Sequence, residues 1–166
     1  GWPERNGGDV GDHEIEQSIR GINGATEGID GAPLSVHFCH AHFDRRHATS
    51  GPYDLIVDAL GEMNVRRFAM ELATPDAGGL DVLRRFPKDK VLGLGVIDHT
   101  DTHVETPEEV VERAERAMEF VAPERMTLNP DCGFSPSSAN PMDLDEAYLK
   151  LTAMCQGASL LRDKYG

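Results

Sequence analysis

The sequence predicts an α/β protein of the (β/α)8, or TIM-barrel, type, of which this chain supplies about four βα units. Short apolar runs of strand length alternate with stretches of helical periodicity from end to end. Alternation of that kind implies a parallel sheet covered by helices. The chain of 166 residues is one domain by size, yet a closed barrel needs about 250 residues. Four units are half of it.

Residues 1–12 are rich in Gly, Asp and Asn and read as an irregular lead-in. From His13 to Ile29 the residues Ile15, Ile19, Ile22, Ala25 and Ile29 recur at helical spacing, and Gly28, Gly31 and Pro33 punctuate a turn. Leu34 to Cys39 reads as a strand, about Tyr53 to Met63 as a helix, and Val65 to Leu72 as a second strand. Asp76 to Arg85, with Leu80, Leu83 and Phe86, carries a modest helix signal, and Val91 to Ile97 is an apolar strand. Thr106, Pro107 and Glu109 make a strong helix start, with Thr as N-cap, Pro first in the helix and Glu closing a capping box. Met126 to Leu128 is the fourth strand. A long helix from Asp143 to Lys164 follows, with Leu144, Ala147, Tyr148, Leu151, Met154, Cys155, Ala158 and Leu161 on one side. A half barrel has two open strand edges, a liability for a monomer. The chain is therefore expected to belong with a further half barrel or to self-associate.

Composition narrows the partners. With 39% hydrophobic and 27% charged residues the chain is an ordinary globular one. A formal charge of −13 argues against nucleic acid or an anionic membrane as partner, because both need a basic surface. There is no apolar run of membrane-spanning length, and Gly1 to Val10 lacks the features of a signal peptide, so a cytoplasmic setting is expected. The three cysteines, Cys39, Cys132 and Cys155, are then thiols rather than a disulfide framework. His37, His40, His42 and His47 crowd one short segment.

Functional residues of parallel α/β folds gather at the C-terminal ends of strands. Those ends carry His37 and Cys39, then Glu71, then Asp98, then Asp131 and Cys132. His37 and Cys39 are two apart and share a face of their strand. A strand cysteine taken alone is ordinarily a small buried hydrophobe, but here every candidate falls independently at a strand end. Glu71 closes the apolar run Phe68-Ala69-Met70, and a buried carboxylate needs a partner. His, Cys, Cys and Glu suit tetrahedral zinc.

Val36-His37-Phe38-Cys39, Met70-Glu71, Gly95-Val96-Ile97-Asp98 and Asn129-Pro130-Asp131-Cys132-Gly133 resemble, in order, the successive motifs of cobalamin-independent methionine synthases and their shorter relatives. The resemblance runs over roughly residues 13–164 and implies the last four βα units of that family's zinc-binding barrel. It implies a Zn2+ cofactor held by His37, Cys39, Glu71 and Cys132. It also implies methyl transfer to a thiol, with homocysteine as the leading acceptor and a folate or methylated corrinoid protein as donor. A thiol would enter by displacing Glu71 and attack an electrophilic carbon as the thiolate. Glu71, Asp98 and His47 are the expected catalytic residues, Asp98 by orienting a ligand or substrate amine and His47 as an acid–base or pocket group.

Departures from the family pattern leave alternatives. Thr100 stands where the family carries a His, with His99 and His103 as neighbours able to substitute. The family's Asp-Glu-Pro segment, whose acid helps hold the amino acid substrate, is not in the sequence. The segment from Cys39 to His47 more closely resembles a broader group that includes the coenzyme M epoxide transferases, so thiol addition to an epoxide is one alternative. A metal-binding fragment without turnover is another. His40 and His42 read as pocket or packed residues, and Cys155 as a thiol packed on the last helix. The charges from Glu105 to Glu119 read as a solvated face, and Gly93 and Gly95 as positions of close packing.

Overall fold

The computed structural model describes residues 12–48, 51–134 and 142–166. Nine regular elements are named in chain order: α1 (Asp12–Thr26), β1 (Ser35–Phe38), β2 (His42–Phe43), β3 (Arg46–His47), β4 (Arg67–Met70), β5 (Val91–Ile97), α2 (Pro107–Met118), β6 (Met126–Pro130) and α3 (Leu144–Tyr165). Apart from Asp12, which opens α1, the expected lead-in lies outside the described residues.

Four strands form one sheet in the order β1-β4-β5-β6, every pair parallel. The α/β class and the sequential strand order are those expected of successive barrel units. β5 is central and all but its first residue is buried. Leu92, Leu94 and Val96 share one face and join Val110, Ala114 and Ala117 of α2 in a single core. Gly93 and Gly95 occupy the other face, where neighbouring strands send side chains across: a Cβ on Gly93 would lie 2.7 Å from Asn129 Oδ1 and 3.0 Å from Ala69 Cα. The α2 start is capped as its sequence demands, with Glu109 N donating to Thr106 Oγ1 at 3.2 Å and Thr106 N to Glu109 Oε2 at 2.7 Å. Asp143 caps α3 by accepting from Asp145 N at 2.8 Å.

Two expectations are corrected. The helices expected near 53–63 and 76–85 are pairs of 3-10 turns, Tyr53–Leu55 with Val57–Glu62 and Pro75–Ala77 with Leu80–Arg85. Their backbone bonds close three residues back rather than four, Ile56 N donating to Tyr53 O at 3.0 Å, Gly78 N to Pro75 O at 3.0 Å and Phe86 N to Leu83 O at 3.1 Å, the short pieces in which a 3-10 helix is used. The apolar face assigned to α3 is also rotated. Leu144 is 82% exposed, Tyr148 70%, and Cys155 is exposed rather than packed. The buried positions are Lys150, Ala153, Gly157 and Leu161. Gly157 sets the crossing with α2, since a Cβ there would lie 2.7 Å from Val110 Cγ1 and 3.0 Å from Pro107 O. β2 and β3 form an antiparallel hairpin whose turn residues Asp44 and Arg45 have φ of 52° and 59°, the left-handed pair of a tight hairpin turn. No helix among the described residues is long and apolar enough to cross a membrane.

Candidate metal centre

Three strand ends converge. β1 carries His37 and leads into Cys39, β4 ends at Met70 just before Glu71, and β6 runs into the 3-10 turn Asp131–Gly133 that holds Cys132. One donor atom from each of His37, Cys39, Glu71 and Cys132 falls within 4.8 Å of all the others. The two sulfurs are 2.9 Å apart, and His37 Nε2 is 3.7 Å from Glu71 Oε1. β5 passes between without contributing a donor.

Each donor is oriented by a neighbour. His37 Nδ1 donates to Ala69 O at 3.1 Å, which leaves the Nε2 lone pair facing the cluster. Ala41 N donates to Cys39 Sγ at 3.2 Å. Cys132 sits in a left-handed turn with φ of 52°, which aims its sulfur back at the sheet. Glu71 Oε2 accepts from His40 N at 2.7 Å and from His40 Nδ1 at 2.8 Å. Glu71 N donates to Tyr53 Oη at 3.0 Å.

Asp131, fully buried, braces the same loop. Its Oδ1 accepts from Leu72 N at 3.2 Å and its Oδ2 from Ala73 N at 3.1 Å, just past Glu71. The carboxylate crosses β5 over Gly95, where a Cβ would collide with Oδ1. Glu71 and Cys132 are thus tied through one side chain.

The electrostatics follow from burial and pairing. Burial alone would push Glu71 up, but the ring and backbone N–H of His40 overcome it and hold the carboxyl down at about 2. Burial pushes the Cys39 and Cys132 thiols up, and Glu71 beside them adds to it. Burial likewise raises Asp131, with the Glu71 charge contributing. His99 is lowered to about 4 by burial and by His42 and His47.

The residues fit a tetrahedral metal ion. Glu71 Oε1 is buried with no hydrogen bond, a costly state for a carboxylate oxygen unless a cation faces it. Two thiols, one imidazole lone pair and one carboxylate oxygen are a donor set for a borderline-soft cation.

The remaining sequence candidates lie around this group. Asp98 is not among the donors: its Oδ1 accepts from Thr100 N and Oγ1, both at 2.7 Å. His47 belongs to an imidazole cluster, its ring centroid 5.4 Å from His40 and 5.3 Å from His99. His42 Nδ1 lies 2.9 Å from His99 Nε2. His103 instead pairs with Glu109 at the start of α2, 3.0 Å away.

Sequence reasoning missed two supports. Lys150, fully buried, donates to Asp98 O at 2.9 Å, to Glu105 Oε2 at 3.0 Å and to His103 O, pinning the loop after β5. Arg45 grips Glu146 with both terminal nitrogens at 2.8 and 2.6 Å and donates to Asp101 O at 2.7 Å, locking the hairpin to α3 and to that loop. The available signal was Lys150 itself, a cation between Ala147 and Met154 on a helix face otherwise apolar and small.

An all-parallel α/β sheet whose strand ends pool two thiols, an imidazole and a carboxylate carries a candidate metal centre where barrel-type folds carry their functional residues. Comparison with known proteins makes this specific. The family described as cobalamin-independent synthase, catalytic domain, matches residues 26–159, and the chain belongs to that family. It is 32% identical over 149 residues to a methionine synthase of Thermococcus kodakarensis, an alignment covering 90% of this chain and 39% of the relative. A methionine synthase of Saccharolobus islandicus is 29% identical over 151 residues, covering 91% of this chain and 41% of the relative. The chain thus spans about two-fifths of the length of these curated relatives. Among solved structures, a B12-independent methionine synthase from Shewanella sp. W3-18-1, in complex with selenomethionine, superposes with a TM-score of 0.77 at 20% identity. That match covers 92% of this chain and 45% of the other. At that identity the likeness is one of fold.

Proposed function

We propose that the chain is the zinc-binding part of a methyltransferase that moves a methyl group to a thiol, with homocysteine as acceptor. The observation that carries this is the convergence of His37, Cys39, Glu71 and Cys132, with Glu71 Oε1 left for a cation. Family membership and the names of the relatives support it. These four residues would hold Zn2+. When bound, zinc supplies a Lewis acid that lowers the pKa of a substrate thiol, otherwise about 8.5, so that it reacts as the thiolate.

The chain's own residues do the rest. Cys39 and Cys132 would bring negative charge to the ion and so favour a nucleophilic substrate sulfur. Glu71, the hard oxygen donor, would be the residue that gives way to a thiol. Asp98, fixed by Thr100 and Lys150, orients the substrate end of the β5 loop. His47, in the imidazole cluster, takes or returns a proton. The methyl donor would be a folate or a methylated corrinoid protein, and a complementary half barrel, or a second copy, would help complete the pocket. Free thiols throughout suit a cytoplasmic setting. A second reading, thiol addition to an epoxide, rests on the resemblance carried by the segment from Cys39 to His47.

The test is zinc content and thiol response. Purified without chelators, the chain should hold about one zinc, and Cys132→Ser should lose it. Glu71→Gln should change the resting coordination of a cobalt-substituted site yet still respond to L-homocysteine. A Glu71→Gln protein that keeps its metal and shows no thiol-dependent spectral change would sink the displacement reading. Comparing L-homocysteine with 2-mercaptoethanesulfonate separates methyl transfer from the epoxide alternative. Metal binding without response to either thiol would leave a metal-binding fragment.

A further inference from the structure

The two oxygens of Glu71 face different partners. Oε2 accepts both of its hydrogen bonds from a single residue, His40, through the backbone N at 2.7 Å and the ring Nδ1 at 2.8 Å. Oε1 points toward His37 Nε2 at 3.7 Å and has no hydrogen bond. His40 is 1% exposed. Its ring is fixed from the opposite edge by Gly51 O, 3.1 Å from Nε2, and edge-on by the Tyr53 ring at 5.4 Å. Tyr53 Oη in turn accepts from Glu71 N at 3.0 Å and donates to Phe38 O at 3.4 Å, which closes a loop of contacts around the carboxylate.

We propose that His40 is a positioning residue that restricts Glu71 to one oxygen toward the cation and thereby makes Glu71 the donor that yields to an incoming thiol. This rests on the zinc–thiol reading above. A carboxylate with its second oxygen held by two N–H groups cannot swing round to chelate a metal with both oxygens. It also has a place to stay. A buried carboxylate that lets go of a cation normally becomes an unpaired charge, which is strongly unfavourable. Glu71 keeps its two bonds to His40 whether or not the cation is in reach of Oε1. Removing the ring leaves only the backbone N–H, so Glu71 should hold the metal more firmly and give way less readily. Metal affinity and thiol affinity should then move apart. A merely structural role would lower both.

The experiment uses His40→Phe and His40→Gln in the full chain. Zinc affinity is measured by competition with a chelator, and L-homocysteine affinity by the thiolate-to-cobalt absorption of the cobalt-loaded protein. His40→Phe should bind zinc at least as tightly as wild type and L-homocysteine about tenfold more weakly, within the range typical of residues that orient ligands. His40→Gln, which offers an amide N–H in place of the ring, should recover part of the loss. Unchanged L-homocysteine affinity in the variants, or zinc affinity falling in step with it, would overturn the proposal. Should His40→Phe not fold, His40→Gln decides alone: weaker thiol binding with zinc retained supports the proposal, and any other result overturns it. A wild-type protein that holds metal but does not respond to L-homocysteine would overturn the thiol reading and this inference together. A wild-type response preserved in full by His40→Phe would overturn only the inference.

Discussion

Glu71 and the two cysteines would enter metal binding from opposite protonation states. The carboxyl, held at about 2, is already ionised at neutral pH, whereas burial raises both thiols above their ordinary range. Zinc binds thiolates, so uptake must expel the thiol protons. We expect about two protons released per zinc near pH 7, read by calorimetry in buffers of different ionisation enthalpy. The sign of the pH dependence follows. Protons compete with zinc at Cys39 and Cys132, so affinity should fall as pH falls and strengthen as it rises; a flat profile would exclude the cysteines as ligands. At this scale the grouping of His37, Cys39, Glu71 and Cys132 was legible in the sequence because strand ends are legible: all four close or follow apolar runs. The part played by His40 was not. Its neighbours His37, His42 and His47 are the same residue type, and only the backbone after β1 decides which imidazole turns toward Glu71.

At the scale of elements, β5 contributes space rather than chemistry. Gly95 lets the Asp131 carboxylate cross the sheet to the loop after β4, so a methyl group at position 95 meets Asp131 Oδ1, Met70 O at 2.8 Å and Leu72 N at 2.9 Å. Met70 O and Leu72 N are backbone atoms, and the Asp131 carboxylate is held in place by Leu72 N and Ala73 N. Gly95→Ala is expected to cost roughly 2 kcal/mol or more of stability through overpacking. It should weaken zinc binding as well, since the brace joins Glu71 to Cys132. Urea denaturation and chelator competition check both, and a variant with wild-type zinc affinity would show that Asp131 is not holding the donors. The sequence marked Gly93 and Gly95 as close-packing positions but not what packs there, because Asp131 is distant in the chain. The 3-10 turns were misread for a different reason. Leu80, Leu83 and Phe86 satisfy a helix pattern loosely, and the same apolar spacing suits a short 3-10 turn as well as one turn of α-helix. The buried face of α3 was missed because Gly157 and Lys150 do the packing, and neither type signals a core.

At the scale of the whole molecule, the sheet formed by the described residues is open on both sides. β1 and β6 are its outer strands. Beside β6 a groove of about 520 Å3 is lined by Met126, Leu128, Met154, Cys155 and Leu161. A parallel strand that is outermost among the described residues and flanked by an apolar groove invites pairing, while a formal charge of −13 opposes self-contact at low salt. The isolated chain is therefore expected to associate more as ionic strength rises, and Leu128→Lys should suppress that association. Sedimentation velocity at two salt concentrations tests it; a chain monomeric at both would show that this edge does not recruit a partner. The α/β class, the parallel order and the rim that bears the donors could be read from alternating apolar runs. Which faces remain open is a property of packing, and no local pattern encodes it.

Cys132 lies in a run of three left-handed residues, with φ of 52° at Cys132, 57° at Gly133 and 65° at Phe134. Such a backbone costs a residue with a side chain about 1 kcal/mol and costs glycine almost nothing. Without metal, the cysteine is thus an energetic burden that glycine would relieve, and Cys132→Gly should unfold at a higher denaturant concentration than the metal-free wild type while holding no zinc. Among descendants released from catalysis, drift would meet no resistance here. Cys132 would be among the first residues to go, and the fold would outlive its chemistry in a sturdier form.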